Sequence, residues 1–226
     1  MEFKEQPIIT KADIKKRLGS KNDYAYTALN RLKNKGKLKK VTKGKYTASN
    51  DVYAIASNII TPSYISFWTA SQLKGYTEQI LRTIQIASTK QKKPVEYEGY
   101  KIEFHKLSPK KFFGFQKEKT REGFLFIAED EKLVIDCLLH PEKLGNTDEI
   151  IKAIKKASID KDKITSYLNK INNKSLNKRA GFLLEKYKGT DLSGKIRHKD
   201  KNHVLLTPYT RGKHISRKWM VKHDLD

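Results

Sequence analysis

The spacing of hydrophobic residues alternates along this chain between helical and strand-like patterns, and that alternation limits the folds it can adopt. In residues 10–36 and 51–60, apolar side chains recur every three or four positions, as they do on one face of a helix. Between residues 82 and 127 they form short alternating, β-branched or aromatic runs, which are typical of strands. From Glu129 onward the helical spacing returns. These separate helical and strand-rich segments predict an α+β protein.

The first fifty residues predict two helices followed by a hairpin. Thr10 stands three residues before Asp13, a variant of the capping box that begins a short helix. Ser20 is the predicted cap of a second helix. Two β-prone runs then surround a Lys-Gly turn within residues 38–48. This order is typical of a winged helix-turn-helix, in which the second helix enters the major groove and the hairpin touches the backbone.

The second helix carries its polar side chains on the face opposite its apolar residues. Arginine suits the guanine edge in the major groove, and asparagine suits the adenine edge. The residues predicted to read bases are Tyr26, Thr27, Asn30 and Arg31. The residues predicted to contact DNA phosphates are Lys21, Lys33, Lys40, Lys43 and Lys45. The alternative for each lysine is a solvated surface charge, and for the whole segment a small helical cap with no ligand.

The chain has a formal net charge of +23, and the surplus is greatest at its two ends. Residues 1–50 contain 14 lysines and arginines against 4 acidic residues, and residues 188–226 contain 10 against 4. Such a surplus attracts polyanions because each neutralised phosphate releases counterions. A lysine-rich surface with no polyanionic partner is the alternative. The charge therefore favours double-stranded DNA as a partner without establishing it.

Several classes of protein are excluded by the apolar runs and the cysteine content. Residues 124–128 and 133–139 form the longest nearly apolar runs, far shorter than the roughly 18 residues that span a membrane. The charged start lacks the apolar stretch of a secretory signal. The single cysteine, Cys137, lies on an apolar helix stripe and is predicted to be a core residue. We therefore expect a cytoplasmic protein with no membrane partner.

Residues 51–226 are predicted to form a second, mixed α+β domain that binds a partner. Residues 64–67 are β-prone, and candidate strands cover residues 82–88, 95–97, 101–105, 111–115 and 123–127, which predict a mixed or antiparallel sheet of four to five strands. A bundle of four helices is predicted around Leu133, after Asn146 or Thr147, after Asp160 and after Ser175. Residues 189–226 are predicted to be a basic tail with one strand at residues 204–207.

Several stretches resemble the AbiEi regulators and antitoxins of the abortive-infection AbiE type, a type IV toxin–antitoxin system. They are the hairpin segment Leu38–Tyr46, the segment Tyr64–Thr77, the segment Ala128–Asp136 and the segment Lys178–Glu185. The resemblance covers about residues 8–210. It implies a winged helix that binds inverted repeats in its own promoter and represses it, and a C-terminal domain that counters a nucleotidyltransferase toxin. We expect a monomer or weak dimer that dimerises on the DNA.

Catalytic motifs are scarce in the sequence. It contains no GxxxxGK[ST] or GxGxxG nucleotide loop, and its histidines lack the spacing of a zinc site. The run from Phe124 to Ala128 followed by Asp130-Glu-Lys132 resembles the (D/E)xK motif of Mg²⁺-dependent nucleases, with Glu103 or Glu118 as an upstream acid. Acidic residues are also favoured at any helix N-terminus by the macrodipole. The prediction is a regulator without catalytic residues, metal or cofactor; the alternatives are this nuclease or a stand-alone winged-helix transcription factor that senses a ligand.

Overall fold

A computed structural model describes residues 3, 5–19, 22–198, 200 and 202–226, without the side chains of Asn22 and Asp23. Eight α-helices and eleven strands lie within these residues, which confirms the α+β class. The chain divides into two compact units. The first unit comprises residues 1–65, 82–107 and 116–127, and the second comprises residues 66–81, 108–115 and 128–226. The first unit therefore extends beyond residue 50 and includes most of the strand-rich segment.

The first unit begins with two helices and an antiparallel hairpin. Their bounds are α1 (Lys11–Leu18), α2 (Asn22–Asn34), β1 (Lys39–Thr42) and β2 (Lys45–Thr47). The predicted capping box is confirmed: the backbone N–H of Thr10 donates to Asp13 at 2.7 Å, and the N–H of Asp13 donates to the Thr10 hydroxyl at 3.4 Å. The predicted cap of α2, Ser20, lies outside the described residues. Ile9 pairs with Tyr46 and joins the start of the chain to β2.

A small apolar core holds these elements together. Its buried members come from the chain start, both helices and the segment before β1, and they are Phe3, Ile9, Ile14, Ala25, Leu29 and Leu38. Leu18, Ala28, Leu32 and Tyr46 pack against them. Burial of this set fixes which face of α2 points inward, because Ala25 and Leu29 lie one turn apart on the same side.

The rest of the first unit is a six-stranded mixed sheet. After α3 (Val52–Asn58), its strands are β3 (Ser63–Ile65), β4 (Thr83–Ser88), β5 (Val95–Tyr97), β6 (Tyr100–Lys106), β7 (Phe115–Thr120) and β8 (Gly123–Ala128). They lie in the order β5-β6-β4-β3-β8-β7. β4 runs parallel to β6, and β5 runs antiparallel to it. The β5–β6 turn at Glu98 and Gly99 has positive φ at both residues, as a two-residue hairpin turn requires.

The strand prediction is wrong at one place. Residues 111–115 do not form a strand: a short 3-10 helix covers Pro109–Lys111, and β7 begins only at Phe115. Pro109 fixes its own φ at the first position of the 3-10 turn, and Gly114 takes a φ of 70°. The lysine-rich strand β7 was not predicted, and the sheet has six strands instead of four to five.

The second unit is mostly helical and ends in a small sheet. Its elements are α4 (Phe67–Leu73), α5 (Asp130–Leu139), α6 (Thr147–Lys156), α7 (Lys161–Ile171), α8 (Lys174–Lys188), β9 (Val204–Leu205), β10 (His214–Ser216) and β11 (Val221–His223). Asn146 and Asp160 cap α6 and α7 as predicted. The predicted start of α8 after Ser175 is wrong, because Asn173 caps this helix through the N–H of Leu176. None of the helices in the described part of the chain has the length and apolar character that a membrane crossing requires.

The described residues of the segment 189–226 pack against α8. Trp219 is 1% exposed, its indole N–H donates to Glu185 at 2.5 Å, and its ring lies close to Gly181. Lys178, also buried, pairs with Asp200. The stretch Lys178–Glu185 thus supplies contacts that hold the C-terminal segment in place.

Candidate functional site

The outward face of α2 presents the four residues predicted to read bases. Tyr26 is 57% exposed, Thr27 and Arg31 are exposed, and Asn30 is half-buried. They span about one and a half turns of α2 and lie on the side of the helix away from the buried Ala25 and Leu29. The face is therefore a contiguous strip of amide, hydroxyl, phenol and guanidinium groups, which are the side chains that hydrogen-bond to base edges.

Two residues beside this strip were not predicted. Tyr24 is 54% exposed in the first turn of α2, and the Lys11 ammonium of α1 lies 6.0 Å from the Tyr26 ring centroid. A cation at that distance from an aromatic ring is attracted to its face. The exposure of Tyr24 could have been predicted from its position on the helix relative to Ala25. The position of Lys11 beside Tyr26 could not, because it depends on how α1 packs against α2.

The predicted phosphate-contacting lysines lie on the end of α2 and on the hairpin. Lys33, Lys40 and Lys43 are exposed, and Lys45 is half-buried. Lys43 lies in the hairpin turn. The next residue, Gly44, has a φ of 72°, a conformation that residues with a side chain rarely adopt. Lys21 lies outside the described residues. The structure therefore brings three of these lysines, Lys40, Lys43 and Lys45, together on one hairpin.

Lys45 has an unusual electrostatic environment. Its pKa is lowered, first by partial burial and then by the positive charges of Lys92 and Lys90, while Asp13 acts in the opposite direction. The Asp13 carboxylate already accepts hydrogen bonds from the backbone and hydroxyl of Thr10. Lys45, Lys90 and Lys92 outnumber this one carboxylate, so a surplus of positive charge remains at this end of the hairpin, and such a surplus attracts an anion such as a DNA phosphate.

The two acidic residues of the (D/E)xK-like motif at the start of α5 have different hydrogen-bond and ion-pair partners. Asp130 accepts from the Tyr76 hydroxyl at 2.7 Å and pairs with Lys74 at 2.9 Å. Burial raises the pKa of Asp130, but its hydrogen-bond and ion-pair partners together outweigh burial and hold the pKa below its ordinary value. Glu131 accepts from the backbone N–H of Asp160 and pairs with Lys163 at 3.1 Å.

The lysine of that motif, Lys132, forms an ion pair inside the protein. Lys132 is fully buried and pairs with Asp136, which also accepts from the Ser66 hydroxyl at 2.8 Å. The three motif residues therefore turn toward separate partners instead of converging on one point. Over the described residues, no group of three or more His, Cys, Asp or Glu side chains is arranged to hold a metal ion. Cys137, beside this pair, is buried as predicted, and burial raises the pKa of its thiol.

A polar cavity opens on the second unit. It has a volume of about 480 Å³ and is lined by Asn169, Asn172, Gly194, Lys195, Ile196 and Arg197. Lys195 pairs with Asp162 at 3.1 Å, and its carbonyl accepts from the Asn169 amide. The cavity gives a small polar ligand room to bind on this unit.

No protein-family model and no curated protein matches this chain. Among solved structures, the chain is similar to the crystal structure of the RV2827C protein from Mycobacterium tuberculosis, with a TM-score of 0.63 and 16% sequence identity. The similarity covers 97% of this chain and 87% of that one. At this level of identity it shows that the two chains share a fold, over nearly the whole length of this one.

Proposed function

We propose that this protein is a sequence-specific regulator that binds double-stranded DNA through the segment from α1 to β2. In this proposal the segment is a winged helix-turn-helix and α2 is its recognition helix, lying in the major groove. The β1–β2 hairpin is its wing and contacts the phosphate backbone on the flank.

One observation carries the proposal: the polar strip of α2 lies in the same small fold as a hairpin that carries the predicted phosphate contacts Lys40, Lys43 and Lys45. Tyr26, Thr27, Asn30 and Arg31 offer donors and acceptors for base edges, and the lysines neutralise phosphates without reading sequence. The excess of positive charge over residues 1–50 supports the same partner.

We further propose that the bound DNA is the protein's own promoter, and that the protein is an autorepressing antitoxin. This part rests on the resemblance to AbiEi regulators, in which inverted repeats are bound and a nucleotidyltransferase toxin is the partner of the C-terminal domain. Repression then results from occupation of the promoter by a pair of copies, each reading one half-site. The chain does not carry out catalysis in this account.

The test is a fluorescence-anisotropy titration of the full chain against its own upstream intergenic DNA and a scrambled duplex of equal length. Each duplex is measured at low and at physiological salt. Tighter binding to the upstream DNA by about a thousandfold, retained at physiological salt, is expected of a specific regulator. Equal binding to both duplexes that disappears with salt would leave only non-specific attraction to a cationic surface.

A ligand-sensing transcription factor is the second candidate, and the polar cavity beside Arg197 favours it. If it is correct, a small anionic ligand bound there changes the affinity for the upstream DNA. The titration is repeated with and without cell-extract metabolites, on the unaltered chain and on Arg197→Ala. The DNA affinity of a ligand sensor changes with the metabolites in the unaltered chain and no longer does so in the variant. The DNA affinity of an antitoxin that needs no ligand is the same with and without metabolites in both proteins.

A further inference from the structure

The connection between β4 and β5 is rich in lysine and crosses one end of the sheet in the first unit. It contains Lys90, Lys92 and Lys93. β4 and β6 are parallel, with Ser88 opposite Lys106, and the N–H of Leu107 donates to the carbonyl of Ser88 at 2.7 Å. The connection therefore leaves β4 at the end of the sheet where β6 also finishes, beside Lys106.

The same connection then leads to the edge strand β5, which begins four residues before the end of β6. β5 runs antiparallel to β6, and its first residue, Val95, lies opposite Ile102. The ammonium of Lys92 lies 5.9 Å from the Phe104 ring centroid, so this half-buried side chain rests on β6 while its neighbours Lys90 and Lys93 are exposed. Four lysines from two segments thus lie at one end of the sheet.

The β1–β2 hairpin lies along this sheet, as an ion pair at its base and the electrostatic environment near its tip indicate. Lys39, at the start of β1, pairs with Glu98 in the β5–β6 turn at 3.3 Å. Lys45, beside the hairpin turn, lies within the electrostatic reach of Lys90 and Lys92. Because Glu98 and Lys92 stand at opposite ends of β5, the tip of the hairpin points toward the lysine-rich end.

We propose that Lys90, Lys92, Lys93 and Lys106 form a second phosphate-binding surface that continues the hairpin and extends the contact with the DNA duplex along the sheet. This inference rests on the proposed function and deepens it by assigning part of the duplex contact to residues outside the winged helix. Like charges held together in this way repel one another, and a run of DNA phosphates neutralises them. The surface positions the duplex without reading its sequence.

The test compares Lys90→Gln/Lys92→Gln with the control Lys155→Gln/Lys161→Gln, which removes the same charge from exposed positions in the second unit. Affinities for the upstream and scrambled duplexes are measured at several salt concentrations. Two lost phosphate contacts should reduce the slope of log affinity against log salt by about 1.8 on both duplexes. The fall in affinity between 50 and 200 mM salt should then be about twelvefold smaller than for the unaltered chain.

The control should keep the slope of the unaltered chain. The second surface is refuted, while the proposed function stands, if Lys90→Gln/Lys92→Gln also keeps that slope. It is refuted likewise if the slope of the control falls as much as that of Lys90→Gln/Lys92→Gln. If the unaltered chain binds no duplex, the proposed function falls and this inference falls with it. Thermal denaturation of both variants checks that a changed slope does not come from unfolding.

Discussion

The substitution Gly181→Ala should destabilise the protein, although alanine is ordinarily the better helix former. Gly181 lies inside α8, where alanine is favoured over glycine by about 1 kcal/mol. A Cβ at this position would lie 2.1, 2.3 and 2.4 Å from three ring atoms of Trp219. Since ordinary carbon contacts begin near 3.5 Å, the indole ring must move by more than 1 Å.

The surroundings of Trp219 leave little room for that movement. Its indole N–H is bound to Glu185, and its ring centroid lies 4.6 Å from that of His198. If the ring leaves its site, the free energy of unfolding should fall by about as much as when a large buried aromatic side chain is truncated to alanine, roughly 3–5 kcal/mol. After the gain in helix propensity, the expected net destabilisation is about 2–4 kcal/mol, or a Tm roughly 4–16 °C lower.

Thermal denaturation followed by circular dichroism measures the effect. Gly194→Ala is the matched control, because a Cβ there meets nothing within 4 Å. In a Trp219→Ala background the substitution Gly181→Ala should become stabilising by up to about 1 kcal/mol, since only the helix propensity remains. A Gly181→Ala variant of the full chain that is as stable as the original would refute the packing of residues 189–226 on α8.

Three further predictions address the DNA interface and the C-terminal segment. Arg31→Ala should weaken binding to the specific site by roughly 1–3 kcal/mol and leave the scrambled duplex nearly unaffected; equal losses in anisotropy titrations on both would make Arg31 a phosphate contact. Lys43→Ala with Lys45→Ala should weaken binding to every duplex and lower the salt slope by about 1.8, and an unchanged slope would remove the hairpin from the interface. The backbone N–H groups of Lys213, Arg211 and Gly212 hold the pKa of Asp224 below its ordinary value of 3.8, so its stabilising effect is present above that pH and is lost as the pH falls through the lowered pKa. The Tm difference between the original chain and Asp224→Asn should therefore be present at pH 7 and shrink below about pH 4; a difference that is constant with pH would contradict this reasoning.

The helices of this protein were largely predictable because their signals are local. Thr10, Asn146 and Asp160 are caps whose side chains bond to backbone N–H groups only a few residues away, so the sequence order alone reveals them. The outward face of α2 follows from the same short-range rule, since burial of Ala25 fixes the direction of Tyr26.

The sheet was less predictable because its strands depend on distant partners. β7 consists mainly of polar and charged residues, which is typical of an edge strand, and it is recognisable only through its neighbour β8. The effect of the Lys92 charge on Lys45 is likewise set by topology: it needs the parallel pairing of β4 with β6, which no local pattern encodes. The packing of Trp219 on Gly181 joins residues 38 positions apart and was equally hidden.

The central claim is that α2 and the hairpin form the DNA-binding surface, and lysine acetylation footprinting tests it most directly. The full chain is acetylated with and without an excess of its upstream duplex, and each modified lysine is quantified by mass spectrometry. We expect Lys33, Lys40 and Lys43 to lose reactivity on the specific duplex, while the exposed Lys155 and Lys161 of the second unit keep theirs. Unchanged reactivity of the hairpin lysines with protection confined to the second unit would contradict the account.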